Sequence, residues 1–139
     1  EDVVNKKFFS AKSYDDMVIL KSIEFSSMCE HHMLPFTGKA NIGYIPNGHV
    51  IGISKIARLV EMHSKKLQIQ ERMSIDISKD LELFLNPKAV AVHIEANHSC
   101  MSMRGVCKKL SSMETMHFSG EFLNNPNLKQ EFLNRINIS

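Results

Sequence analysis

From Ala89 to Ala96 the chain sets Val90, Val92 and Ile94 against Ala91, His93 and Glu95. A period of two predicts a strand with one buried face. From Phe36 to Ile45 the same rhythm returns, with Ala40, Ile42 and Tyr44 alternating with Lys39, Asn41 and Gly43. The run from Met17 to Met28 is rich in apolar and β-branched residues and reads as another strand, and Ser112 to Phe118 reads as a fourth. Pro46-Asn47-Gly48 predicts a chain reversal. Two longer stretches switch to helical spacing. Behind Ser54, whose hydroxyl suits a helix N-cap, Ile56, Leu59, Val60 and Leu67 fall near one face. From about Gln70 to Leu85, Met73, Ile77, Leu81, Phe84 and Leu85 repeat at helical spacing, and Asn86-Pro87 ends the pattern. Pro126 to Ile136 predicts a short amphipathic helix opened by proline. Glu1 to Tyr14 has no clean period and is expected to be mostly irregular. The order β-β-α-α-β-β-α predicts an α+β domain. Its expected form is an antiparallel four-stranded sheet, two helices on one face and a short C-terminal helix. Such a sheet has two open edges, a reason to expect partner chains.

Composition narrows the function. The chain has 139 residues, enough for one domain with a single core. A formal charge of +2 does not suggest nucleic acid as the main partner. No apolar run approaches the roughly 18 residues of a membrane span, and no signal-peptide pattern is present. The chain begins at Glu1 rather than Met, so we read it as a fragment or a processed form. Cys29, Cys100 and Cys107 are too few for a disulfide scaffold, and a reducing compartment suits them better.

Candidate chemistry sits in two short stretches. Cys29-Glu30-His31-His32 lies between the first two expected strands, and Asn97-His98-Ser99-Cys100 ends the clearest strand. Thiolate and imidazole donors favour Zn²⁺. Cys29, His32 and Cys100 together would leave a fourth position open, the arrangement of a catalytic zinc. Taken singly, a cysteine is more often a small buried hydrophobe; two clusters at strand ends strengthen the metal reading. His31 and His98 stand beside the proposed ligands and suit proton transfer. His49, His63, His93 and His117 receive no chemical role, and Cys107 fits no ligand spacing. Lys55 and Arg58 follow the expected N-cap Ser54, and Arg104 follows Cys100. Cations near a metal suit a phosphate-bearing substrate. Against this, a solvated helix face is the default reading for Lys55, and for Arg104 the solvated and the phosphate-binding readings weigh about evenly. Gln70 and Glu71 open the second helix, where a carboxylate is favoured by the helix dipole.

Four stretches together resemble GTP cyclohydrolase I of the zinc-dependent type. They are SMCEHHMLPF from Ser27, IGISKIAR from Ile51, LQIQER from Leu67 and EANHSCMSMRGV from Glu95. The resemblance covers roughly Asp16 to Phe132. It implies the tunnelling fold (T-fold), with subunits joined into pentameric barrels and two pentamers stacked as a decamer. It implies hydrolysis of GTP to formate and 7,8-dihydroneopterin triphosphate, the entry to pterin and folate synthesis, in the cytoplasm. Position by position, it implies zinc ligands at Cys29, His32 and Cys100 and catalytic histidines at His31 and His98. It further implies a guanine anchor at Glu71 with Gln70 beside it, and triphosphate contacts at Ser54, Lys55, Arg58 and Arg104. Active sites are expected between subunits, and a regulatory protein partner is left open. An N-terminal helical region common in the family is absent here, so 1–139 is expected to be the catalytic domain alone. His63 and Lys65-Lys66 replace an aromatic residue and arginines, with little effect expected. Met116-His117-Phe118 departs from smaller polar residues. Two competing readings are a related tunnelling-fold enzyme acting on a purine or pterin, and a non-catalytic zinc-stabilised nucleotide-binding subunit.

Overall fold

A computed structural model describes residues 8–10, 16–29, 35–65, 67–98 and 112–136, with backbone alone for 8–10, 29, 35, 67, 68 and 98. Among the described residues seven strands run in chain order: β1 Phe8–Ser10, β2 Val18–Cys29, β3 Pro35–Ile45, β4 His49–Ile51, β5 Leu67–Gln68, β6 Ala89–His98 and β7 Met113–Gly120. Helix α1 spans Ile53–Ser64, α2 Gln70–Leu85 and α3 Pro126–Arg135. A 3-10 turn at Glu121–Asn124 leads into α3.

The four expected strands form the antiparallel core β2-β3-β6-β7 of the main sheet. The two-residue β5 adds itself in parallel to the outer edge of β2, pairing Met28 with Leu67 and Cys29 with Gln68. Leu67 therefore belongs to a strand and not to the face of α1. Two further short strands, β1 and β4, pair with each other. Buried Tyr44 ties β4 to the main sheet, its hydroxyl accepting the Ile51 N–H at 3.1 Å.

The alternation along each strand divides the sheet into two faces. Ile42, Tyr44, Val90, Val92 and Ile94 pack under Leu59, Val60, Met73, Ile77 and Leu81 of α1 and α2. The seat of α3 is on the opposite face. There Phe132, Phe122 and Ile136 pack with Ile45, Ala89 and Ala91. Small residues make this seat: a Cβ at Gly43 would come within 2.8 Å of the Phe132 ring. The helix covers one end only. Toward the other end the face is polar, with Glu24, Lys39, Glu95 and Glu114 in one register row across four strands.

Local stops follow side-chain chemistry. Asn86 caps α2 in the left-handed region, its N–H donating to Glu82 O, and Pro87 follows. Asn125 caps α3, its side-chain oxygen accepting the N–H groups of Asn127 and Leu128. At α1 the cap is Gly52, with no side-chain hydrogen bond, and Ser54 lies inside the first turn. The N-cap expected at Ser54 is thus corrected by two positions: the chain leaves β4 at Ile51 and turns helical at once. No helix among the described residues is long and apolar enough to cross a membrane.

Candidate active site

One end of the sheet holds Cys29, His98 and the start of α2. Ser27, Phe36 and His98 occupy one register row across β2, β3 and β6. Cys29 is the last residue of β2 and His98 the last of β6. One strand separates these two, so their strand ends lie about 10 Å apart at normal strand spacing. Buried Phe36 stands between Ser27 and His98 in that row, edge to face with Phe25 at 6.0 Å. A Cβ at Gly38 would strike Glu95 O and Ala96, so glycine lets β3 and β6 approach beside this row.

The same end receives the start of α2. From β5, paired with Cys29, the chain crosses to β6 and β7, where Gln70 is fully buried. Its Nε2 donates to Met113 O at 2.9 Å, Ile94 O at 3.1 Å and Thr115 Oγ1 at 3.3 Å. Glu71, one residue on, is exposed in the first turn of α2, where the free N–H groups favour a carboxylate.

The cations are placed differently. Ser54 and Ser64 mark the two ends of α1, about 15 Å apart at the rise of an α-helix. The Ser64 end leads to β5 and Cys29; Ser54 and Lys55 sit at the far end. Ser54 and Arg58 are exposed, whereas Lys55 is 8% exposed. Arg58 lines a groove of about 360 Å³ between α1 and the β2 edge, with Glu61, Ile23 and Glu24. One chain therefore does not bring Ser54 and Lys55 to the Cys29–His98 end. His31, His32, Cys100 and Arg104 lie outside the described residues. Among the described residues no group of three or more His, Cys, Asp or Glu could hold a metal. A wider concavity of about 790 Å³ opens on the face away from α1 and α2, lined by Glu24, Lys39, Glu95 and Asn97 among others. It includes none of the candidate residues.

Two histidines given no role from sequence turn out to be buried. His63 Nε2 lies 2.6 Å from Asp80 Oδ2, joining α1 to α2. His93 Nδ1 lies 3.0 Å from Asn41 Nδ2, and Asn41 Oδ1 accepts the Ser22 N–H at 2.8 Å. Ser22 has φ 61 and sits at a register irregularity in β2. The seam between α2 and β7 was also missed. Gln70, Ser74 and Ser78 recur at every fourth position beside Met73, Ile77 and Leu81, a signal legible as a polar stripe within an apolar face.

The family model described as GTP cyclohydrolase I matches residues 1–137. The chain is similar to GTP cyclohydrolase 1 of Rickettsia akari, with 48% identity over 134 residues, covering 96% of this chain and 70% of that one. Against the Methylococcus capsulatus enzyme the identity is 50% over 136 residues, covering 98% and 73%. The Chlorobium chlorochromatii enzyme is also 50% identical, and the match spans 60% of its length. Among solved structures, the fold resembles an archaeosine synthase QueF-Like protein in its apo form. That match has TM-score 0.63 and 20% identity, covering 75% of this chain and 93% of that one. Escherichia coli dihydroneopterin aldolase in complex with neopterin aligns with TM-score 0.58 and 12% identity, covering 76% and 99%. At such identities the two structures speak for the fold alone.

Proposed function

The chain belongs to the GTP cyclohydrolase I family, and from that premise we propose a division of labour among its residues. The reaction is hydrolysis of GTP to formate and 7,8-dihydroneopterin triphosphate, at the head of pterin biosynthesis. The observation that carries the assignment is the convergence of Cys29, His98 and the Glu71-bearing start of α2 at one end of a T-fold sheet.

Cys29, His32 and Cys100 would hold the zinc. Two thiolates and an imidazole are a donor set suited to Zn²⁺, and Cys29 and His98 end strands separated by one neighbour. When bound, zinc supplies Lewis-acid activation of water. His31 and His98 hold and move protons at the ring nitrogens of the guanine while its imidazole ring opens and formate leaves. Glu71 accepts N–H bonds from the guanine edge, its exposure leaving the carboxylate open to a ligand. Ser54, Lys55, Arg58 and Arg104 hold the triphosphate, and Arg58 suits phosphate by its forked geometry. Fixing both ends of GTP keeps the reacting carbon in place.

The length of α1 separates Ser54 and Lys55 from the Cys29 end of the same chain. That separation supports a site completed by a second copy, in a homo-oligomer of the pentamer-paired decamer type. Free thiolate ligands suit a reducing compartment, and we assign the protein to the cytoplasm. The test is metal content with turnover on the full-length protein. Formate release from GTP, abolished by chelator and by Cys100→Ala, is the expected result. Stoichiometric zinc without turnover would instead favour the non-catalytic nucleotide-binding subunit.

A further inference from the structure

Gln70 has two N–H hydrogens and three protein acceptors around them: Met113 O, Ile94 O and Thr115 Oγ1. Thr115 Oγ1 is shared, since Ser74 Oγ lies 3.0 Å from it and 3.3 Å from Gln70 O. One turn further, Ser78 Oγ approaches Ser119 Oγ at 3.5 Å. The surface that α2 turns toward the edge strand β7 is therefore a polar seam set within apolar packing by Met73, Ile77 and Leu81. Apolar contacts tolerate sliding. Directed bonds to one carbonyl on each of two strands do not, because a slip leaves buried donors unmet.

We propose that Gln70 and Thr115 act as a positioning pair for the guanine end of the substrate site. They fix where α2 begins relative to β6 and β7, and hence where the Glu71 carboxylate stands one peptide later. The inference rests on the reading of Glu71 as the base anchor. It gives Gln70 a task other than direct contact with the base through its amide nitrogen, whose hydrogens are already donated to protein. Thr115, the third residue of β7, becomes part of the specificity apparatus without touching substrate.

The test is steady-state kinetics and thermal melting of the full-length protein carrying Gln70→Leu, Thr115→Val, both together, or Thr115→Ser. A positioning pair predicts that KM for GTP rises about tenfold or more in Gln70→Leu and in Thr115→Val, with kcat falling less. The double variant adds little to either single change, because the two side chains share one bond network. Thr115→Ser keeps the oxygen and restores a KM near that of the wild type. A raised KM in Gln70→Leu with an unchanged KM in Thr115→Val would mean direct base contact and overturn the proposal. Lowered melting temperatures with unchanged KM in both would mean a structural role only, and would overturn it too. Should Gln70→Leu fail to fold, the Thr115→Val and Thr115→Ser comparison decides alone. An active wild type whose KM is unmoved in the variants removes this inference only; a wild type without GTP turnover removes the catalytic reading and this inference with it.

Discussion

His63 of α1 and Asp80 of α2 meet at 2.6 Å, with the imidazole 5% and the carboxylate 28% exposed. This contact joins the two helices that cover the sheet. Asp80→Ala leaves a buried imidazole nitrogen without its acceptor and is expected to cost about 1–3 kcal/mol. Glu61→Ala, which removes an exposed pair with Lys65 at 3.6 Å, should cost less than about 0.5 kcal/mol. Denaturant unfolding of both variants checks the contrast; equal losses would contradict it.

Gly43 makes the seat of α3. Gly43→Ala pushes a methyl group into the Phe132 ring and is expected to destabilise by about 1–3 kcal/mol through overpacking. In a Phe132→Leu background the same change should cost less, because the smaller side chain yields room. A melting-temperature cycle on the four proteins measures the coupling, and additive losses would show that the ring is not the obstacle.

Glu71→Ala should leave zinc content unchanged and sharply weaken use of GTP, since the carboxylate is assigned to the base and not to the metal. Metal analysis beside initial rates separates these effects. Activity equal to that of the wild type would refute the role of Glu71.

A site shared between copies predicts complementation. Cys29→Ala and Arg58→Ala chains should each be inactive or nearly so alone. Co-expressed and randomly mixed, they should regain about a quarter of the wild-type sites if one copy supplies the metal side and its neighbour the phosphate side. Absence of recovery in verified mixed oligomers would place both functions in one chain.

The sequence showed most clearly what periodicity and backbone chemistry control. Helix α2 runs from Gln70 to Leu85 as expected, because a long apolar repeat is ended by Asn86-Pro87. Strands β1 and β4 have three residues each, too few to display a period. The seat of α3 was hidden because Gly43, Ala89 and Ala91 look like filler in an alternating pattern, yet their smallness is what admits Phe132. Of the proposed ligand stretches, Cys29 stands at the end of β2 and His98 at the end of β6, as the patterning of those strands suggested, while His32 and Cys100 lie outside the described residues. What spacing alone could not convey was distance, since Ser54 is near Cys29 in no measure that the linear pattern contains. The His63 and His93 contacts were equally invisible, because Asp80 and Asn41 lie on other elements.

The irregularity at Ser22 reaches further than its own strand. Its N–H is donated to Asn41 Oδ1, which fixes which end of that amide faces β6. The NH₂ end therefore meets His93, and Nδ1 must receive a hydrogen and carry none. The neutral ring is left as the Nε2–H tautomer, with that hydrogen toward Glu114 Oε1 at 3.7 Å. A positive-φ residue at a register irregularity of β2 thus selects where a proton resides two strands away.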